Sequence, residues 1–126
     1  MLIFSILMKN VSFKERRKYP RVELKKKVWG KIKTGIDGTI VDISLIGILV
    51  ELATPLKVGS ECNLEIYLND KKFNAQGKVE RIFVHSLKED AVIYRAGIKF
   101  ENIADNQLKL LSEYIKSLSK EEKKNE

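Results

Sequence analysis

Residues 39–52 read Thr39-Ile40-Val41-Asp42-Ile43-Ser44-Leu45-Ile46-Gly47-Ile48-Leu49-Val50-Glu51-Leu52. Two runs rich in β-branched and apolar residues, Thr39–Ile43 and Ile46–Leu52, flank the short interruption Ser44-Leu45. Side chains of this kind suit a pleated, half-buried surface, so the stretch predicts two strands joined by a tight connection.

The same signal continues on both sides. Upstream, Val28, Gly30 and Ile32 alternate with Trp29, Lys31 and Lys33, the two-residue period of a strand. Gly35-Ile36-Asp37-Gly38 reads as the turn that follows, while residues 9–27, polar and basic with Pro20 inside, read as extended or looped. Downstream, Pro55 and Gly59 punctuate a loop, and Leu64, Ile66 and Leu68 then alternate with Glu65 and Tyr67. Asn69-Asp70 predicts a hairpin turn. Phe73, Ala75, Gly77 and Val79 form one face of the next strand, against Asn74, Gln76, Lys78 and Glu80. Val92, Tyr94, Ala96, Ile98 and Phe100 form the apolar face of the last. About six strands with short connections predict an antiparallel barrel or sandwich, and no strand–helix repeat points to a parallel sheet.

The C-terminal part changes period. Asp105 reads as a helix N-cap, with a helix over about 106–119. Leu108, Leu111, Ile115 and Leu118 fall on one face of it, suited to packing on the barrel or closing one end. Residues 120–126 form a charged tail, expected to fray. The expected fold class is therefore all-β with a C-terminal helix.

The 126 residues suit one domain. With 44% hydrophobic and 33% charged residues the composition is that of a globular chain. Cys62 is the one cysteine, which excludes an intramolecular disulfide and fits a reducing, cytoplasmic setting. Cys62 and His85 are the only soft metal ligands and are not at metal-binding spacing, so no metal site is expected. Cys62, at a strand start, reads as a small buried hydrophobe, His85 as a surface residue at a loop edge, and Trp29 as half-buried on the barrel. Paired carboxylates, a nucleophile elbow and a phosphate-binding glycine loop are all missing, so no enzymatic activity is expected.

Met1–Met8 is apolar but far shorter than the roughly 20 residues that span a bilayer. Lys9 follows the apolar stretch rather than preceding it, unlike a signal peptide. Residues 1–14 are read as an N-terminal arm, in which Met8 is an alternative first residue.

Charge is unevenly placed. Residues 1–34 hold eleven Lys or Arg and two acids, while the rest of the chain is slightly acidic, giving +7 in all. The excess marks either a solvated face or a site for a phosphate-bearing partner. Within it lies Glu15-Arg16-Arg17-Lys18-Tyr19-Pro20-Arg21, and about twenty residues later Asp42-Ile43-Ser44-Leu45-Ile46-Gly47. Guanidinium groups pair bidentately with phosphate oxygens and donate to guanine O6 and N7, both beyond a lysine's point charge. A carboxylate at Asp42 accepts from base N–H groups, and the Ser44 hydroxyl donates to phosphate or to local backbone. Gly47 permits a positive φ or a close approach. Alone, Asp42, Ser44 and Gly47 make an ordinary turn.

The arginine run followed by Asp-x-Ser-x-x-Gly resembles the PilZ domain family. Pro55-Leu56-x-x-Gly59 resembles its mid-domain loop, and Ala96-Gly97-Ile98-Lys99-Phe100 its closing strand, so that the likeness covers residues 15–119. The resemblance implies a six-stranded antiparallel barrel and a receptor for cyclic di-GMP, with Arg16, Arg17, Arg21, Asp42, Ser44 and Gly47 as ligand-binding residues. It further implies that Arg16 engages a second, stacked ligand. Arg81 lies near the place where the family sets a residue beside the purine; its plain reading is a solvated strand residue.

The resulting expectation is a monomer or weak dimer that needs no cofactor. Its arginine arm closes over cyclic di-GMP and signals to a downstream protein in motility, exopolysaccharide or biofilm control. Two rivals compete with it, a PilZ-like adaptor that works without the ligand and a basic barrel that binds RNA or single-stranded DNA. The second is disfavoured, and no nucleic-acid partner expected, because the basic arm holds only Phe13 and Tyr19 as stacking residues.

Overall fold

The apolar strand faces read above turn toward one interior, except that Val92 and Tyr94 at the start of the last strand are only partly buried and lie outside the core. The computed structural model describes residues 20–124, with side chains described through residue 118. Six strands, β1 (Val22–Lys33), β2 (Ile36–Ile43), β3 (Gly47–Leu52), β4 (Glu61–Leu68), β5 (Lys71–Lys88) and β6 (Ala91–Asn102), precede one helix, α1 (Asp105–Lys124). The strands close into an antiparallel barrel in the order β1-β2-β3-β6-β5-β4. This ring consists of two meanders, β1–β3 and β4–β6, each made of sequence neighbours. One joint between them is β3 on β6, in register from Gly47↔Lys99 to Leu52↔Tyr94. The other is the short seam of β1 on β4 at Gly30↔Ile66 and Lys31↔Glu65.

Ile32, Ile40, Ile43, Val50, Leu64, Ile66, Phe73 and Ile98 fill the interior with almost no exposure. Each such side chain contributes about 1.5–3 kcal/mol over leaving it in water. Phe73 meets Phe100 edge to face at 5.6 Å. Cys62 is buried among them as expected, and burial pushes its thiol pKa up. Helix α1 covers the barrel by burying Leu111 and Tyr114, with Ile115 and Leu118 partly buried. It is tied to β5 where the Asn74 N–H donates to Gln107 Oε1 at 2.7 Å.

Several expectations about local structure are corrected. β1 starts at Val22, inside the stretch read as looped, because Val22 and Glu23 pair with Ile43 and Asp42. Leu24–Lys27 bulge from that register, and a second, smaller shift falls between Lys31 and Lys33. The β1–β2 turn is Thr34-Gly35, where Gly35 takes φ 78°, and Gly38 is a buried strand residue. The Asn69-Asp70 hairpin turn forms as read, with Asn69 at φ 53°. β5 continues to Lys88 and so carries His85, whose Nε2 lies 3.6 Å from Glu51 Oε1. Ala104 takes the cap position of α1, its carbonyl accepting from Gln107 and Leu108, while Asp105 lies in the first turn. The helix runs to Lys124 rather than ending near 119. Its buried face contains Tyr114 in place of Leu108, which is 40% exposed.

Candidate functional site

The β2–β3 connection is shaped by its serine. Ser44 N–H donates to the Gly47 carbonyl at 3.0 Å, and Ser44 Oγ donates to the same oxygen at 3.4 Å. Ser44 Oγ also accepts from Ile46 N–H at 3.2 Å. The side chain is 3% exposed, so its hydroxyl holds the turn. The loop is then fastened to the second meander, since Phe100 N–H donates to the Ile46 carbonyl at 2.8 Å.

Gly47 serves a close approach, and its φ is not positive. A Cβ there would stand 2.4 Å from the Ile98 carbonyl oxygen, so the approach is to β6 rather than to a ligand. Gly97 plays the matching part on β6. A Cβ on Gly97 would stand 2.9 Å from Arg81 Nε and 3.0 Å from Arg81 Cγ. Arg81 pairs across from Gly97 in the β5–β6 ladder and lays its side chain over that bare backbone. Its guanidinium carbon is also 5.8 Å from the centre of the Phe83 ring.

These features converge on one cavity of about 230 Å3 at the β3–β6 joint. Arg21, Asp42, Ser44 and Gly47 border it from the first meander, and Glu80, Arg81, Gly97 and Lys99 from the second. The two sequence motifs therefore meet in space. Val22↔Ile43 and Glu23↔Asp42 set the entry of β1 beside the loop. Arg16 and Arg17 lie outside the described residues.

Burial raises the Asp42 carboxyl pKa above its ordinary value, while the positive charges of Arg21, Arg81 and Arg95 pull it back. A half-buried carboxylate that shares a cavity wall with Arg21 and Arg81 suits a ligand that is anionic and also carries N–H donors. Phosphates draw on the arginines, and the donors on Asp42. Glu80, Gly97 and Lys99 were read in the sequence as strand residues and not as part of the site. Their signal was cross-strand position, which single-strand alternation does not reveal. Among the described residues no group of three or more His, Cys, Asp or Glu side chains is placed to hold a metal ion. No described helix is long and apolar enough to cross a membrane.

A closed six-stranded barrel with a cavity beside its β2–β3 loop that Arg21 and Arg81 border defines a small β-barrel domain with arginines at its rim. The PilZ domain family model matches residues 15–117, and the chain belongs to that family. Among solved structures, the PilZ domain of YcgR from Escherichia coli with c-di-GMP superposes with a TM-score of 0.72 at 21% identity, covering 87% of this chain and 96% of that one. The K. pneumonia MrkH–c-di-GMP complex gives 0.75 at 18% identity, over 88% and 56% of the two chains. Bacillus subtilis MotI/DgrA, an inhibitor of motility, gives 0.65 at 24% identity, over 79% and 48%. The chain thus spans about half the length of MrkH and MotI. No match is found among curated proteins.

Proposed function

We propose that this chain is a cyclic di-GMP receptor that binds the dinucleotide at the β3–β6 joint. The observation that carries the reading is the convergence of Arg21, Asp42 and Arg81 on one cavity, from positions about twenty and forty residues apart in sequence. Family membership and the c-di-GMP-bound relatives YcgR and MrkH support it. In this reading Arg21 and Arg81 grip phosphate and guanine, and Asp42 accepts from guanine N–H groups. Ser44 and Gly47 set the loop geometry beneath the ligand. Arg16 and Arg17 complete the grip as the basic arm orders over the bound dinucleotide, and Arg16 reaches a second, stacked copy.

Ordering the arm costs about 1–2 kcal/mol per fixed residue, so several charge-assisted contacts must offset it. The ordered arm presents a new surface to a downstream protein in the cytoplasm, in control of motility, exopolysaccharide or biofilm. The role is binding, with no catalytic step. Titration calorimetry with cyclic di-GMP, with GMP as control ligand, tests the reading. Arg21→Ala is expected to lose about ten-fold or more in affinity. A folded wild-type protein that binds no cyclic di-GMP overturns it. The heat profile also counts the ligands, and one per chain at saturation refutes the second copy.

A further inference from the structure

The outer face of the barrel over β1 and β4 carries a second arrangement. Lys27, Trp29, Lys31 and Lys33 alternate outward along β1, with Val28, Gly30 and Ile32 buried between them. Lys25 and Lys26 are exposed in the adjoining bulge. Trp29 stacks on Tyr67 of β4, the ring centres 5.3 Å apart and the planes 15° apart. A stacked aromatic pair ordinarily forms in order to be buried, yet these rings are 39% and 37% exposed. On the side of Trp29 toward β2 and β3 lies a cavity of about 430 Å3, bordered by Lys27, Asp37, Gly38, Thr39, Glu51 and Ile93. Tyr67 does not border it, so one face of the indole meets Tyr67 and the other side opens onto empty space.

We infer that this face binds a single-stranded nucleic acid, one base continuing the Tyr67–Trp29 stack into the cavity while the β1 lysines follow the phosphates. Aromatic platforms set in a basic groove are how sequence-tolerant single-strand binders work, since every base has a π-face to offer. Aromatic residues were short in the basic arm; the fold supplies them from two strands, one of them forty residues downstream in β4. Asp37 at the cavity edge suits the N–H donors on a base edge rather than a phosphate. Glu65 is engaged by Lys72 at 3.2 Å, and Glu51 by Arg95 at 3.4 Å, so two acids nearby are already partly neutralised. A neutral saccharide would also stack on Trp29 but has no use for the lysines. A flat anionic membrane would meet the lysines but could not enter the cavity.

Trp29 is the only tryptophan, so its emission reports on this face alone. The test titrates the full-length protein with a mixed-sequence twelve-nucleotide strand as DNA and as RNA, with its duplex, and with vesicles containing phosphatidylglycerol. Binding is read both by Trp29 emission and by anisotropy of the labelled strand. The expected result is saturable quenching by single strands, weaker binding of the duplex, and roughly ten-fold or more loss of affinity between about 50 and 200 mM salt. Trp29→Ala is expected to lose about ten-fold in affinity, Trp29→Phe to retain most of it, and the Lys27→Glu/Lys31→Glu pair to flatten the salt dependence. Full-affinity binding to Trp29→Ala overturns the proposal, since it leaves the arm as the binder. Emission changes with vesicles but not with single strands overturn it in favour of a membrane surface. Arg21→Ala separates this face from the cyclic di-GMP site, because it is expected to weaken dinucleotide binding about ten-fold or more while Trp29 is still quenched by the oligonucleotide.

Discussion

Gly97→Ala places one methyl group between β6 and Arg81. The new Cβ would stand 2.9 Å from Nε and 3.0 Å from Cγ of Arg81, closer than non-bonded atoms tolerate, and 3.5 Å from its Cδ. All three atoms belong to a long, exposed side chain, so the arginine moves and the backbone stays. Moving it off its rotamer costs about 0.5–1.5 kcal/mol. Replacing a strand glycine by alanine returns about 0.5–1 kcal/mol of chain entropy. The two nearly cancel, and the melting temperature should change little. Ligand affinity should not be spared. If Arg81 donates to a guanine or a phosphate, its displacement forfeits about 1–3 kcal/mol, or roughly five- to 150-fold in affinity. Calorimetric titration with cyclic di-GMP, run beside a thermal melt, measures both quantities. The decisive arm is the cycle with Arg81→Ala. If Gly97 acts only by seating Arg81, the double variant binds no more weakly than Arg81→Ala alone. Additive losses, or full affinity in Gly97→Ala, refute the reasoning.

Three further outcomes are expected. Gly47→Ala drives a methyl to 2.4 Å from the rigid Ile98 carbonyl, and overpacking of this kind costs about 1–3 kcal/mol, visible as a loss of stability in urea. Burial raises the Asp42 pKa, so the folded chain holds that proton more tightly than the unfolded one and the ionised carboxylate burdens the fold above its folded-state pKa. Asp42→Asn should therefore be at least as stable as wild type at neutral pH, with the gain vanishing in acid below the unfolded-state pKa, while its cyclic di-GMP affinity falls; urea melts at both pH values and one titration check this. Leu111→Ala, at a fully buried position, should cost about 2–5 kcal/mol, whereas Leu108→Ala, at a 40% exposed one, should cost far less, and equal costs in denaturant melts would contradict the assigned helix face.

The strands were legible because most of them are amphipathic with a strict period of two. Phe73, Ala75, Gly77 and Val79 announce their face without help from any neighbour. The start of β1 was hidden by Lys25-Lys26-Lys27, three lysines that a bulge takes out of the ladder. The far half of β5 was hidden because it rises past the barrel interior, so Phe83, Val84 and Leu87 stay exposed and its alternation fades. Tyr114 was missed since a face drawn from leucine and isoleucine spacing passes over an aromatic that is equally buried. At the candidate site the motif residues were legible as motifs, but their division of labour was not. Ser44 is occupied by its own loop, and Gly47 serves β6, facts that depend on which strand lies across the sheet. Gly97 and Lys99 entered for the same reason, from a pairing between residues fifty positions from the loop they face.

The ring of two meanders has a consequence for how the molecule is divided. Arg21, Asp42, Ser44 and Gly47 belong to the half that ends with β3, and Glu80, Arg81, Gly97 and Lys99 to the half that begins with β4. The link between them is the loop of residues 53–60, outside both joints. Cut there, the chain would yield two fragments, each a run of local hairpins and neither holding a whole cavity. A dinucleotide seated at the β3–β6 joint would then act as a cross-bridge between separate pieces. If the proposed ligand binds there, its contacts would add to the β3–β6 and β1–β4 ladders that the halves share, so that fragment reassembly strengthened by the small molecule would be one use of this topology.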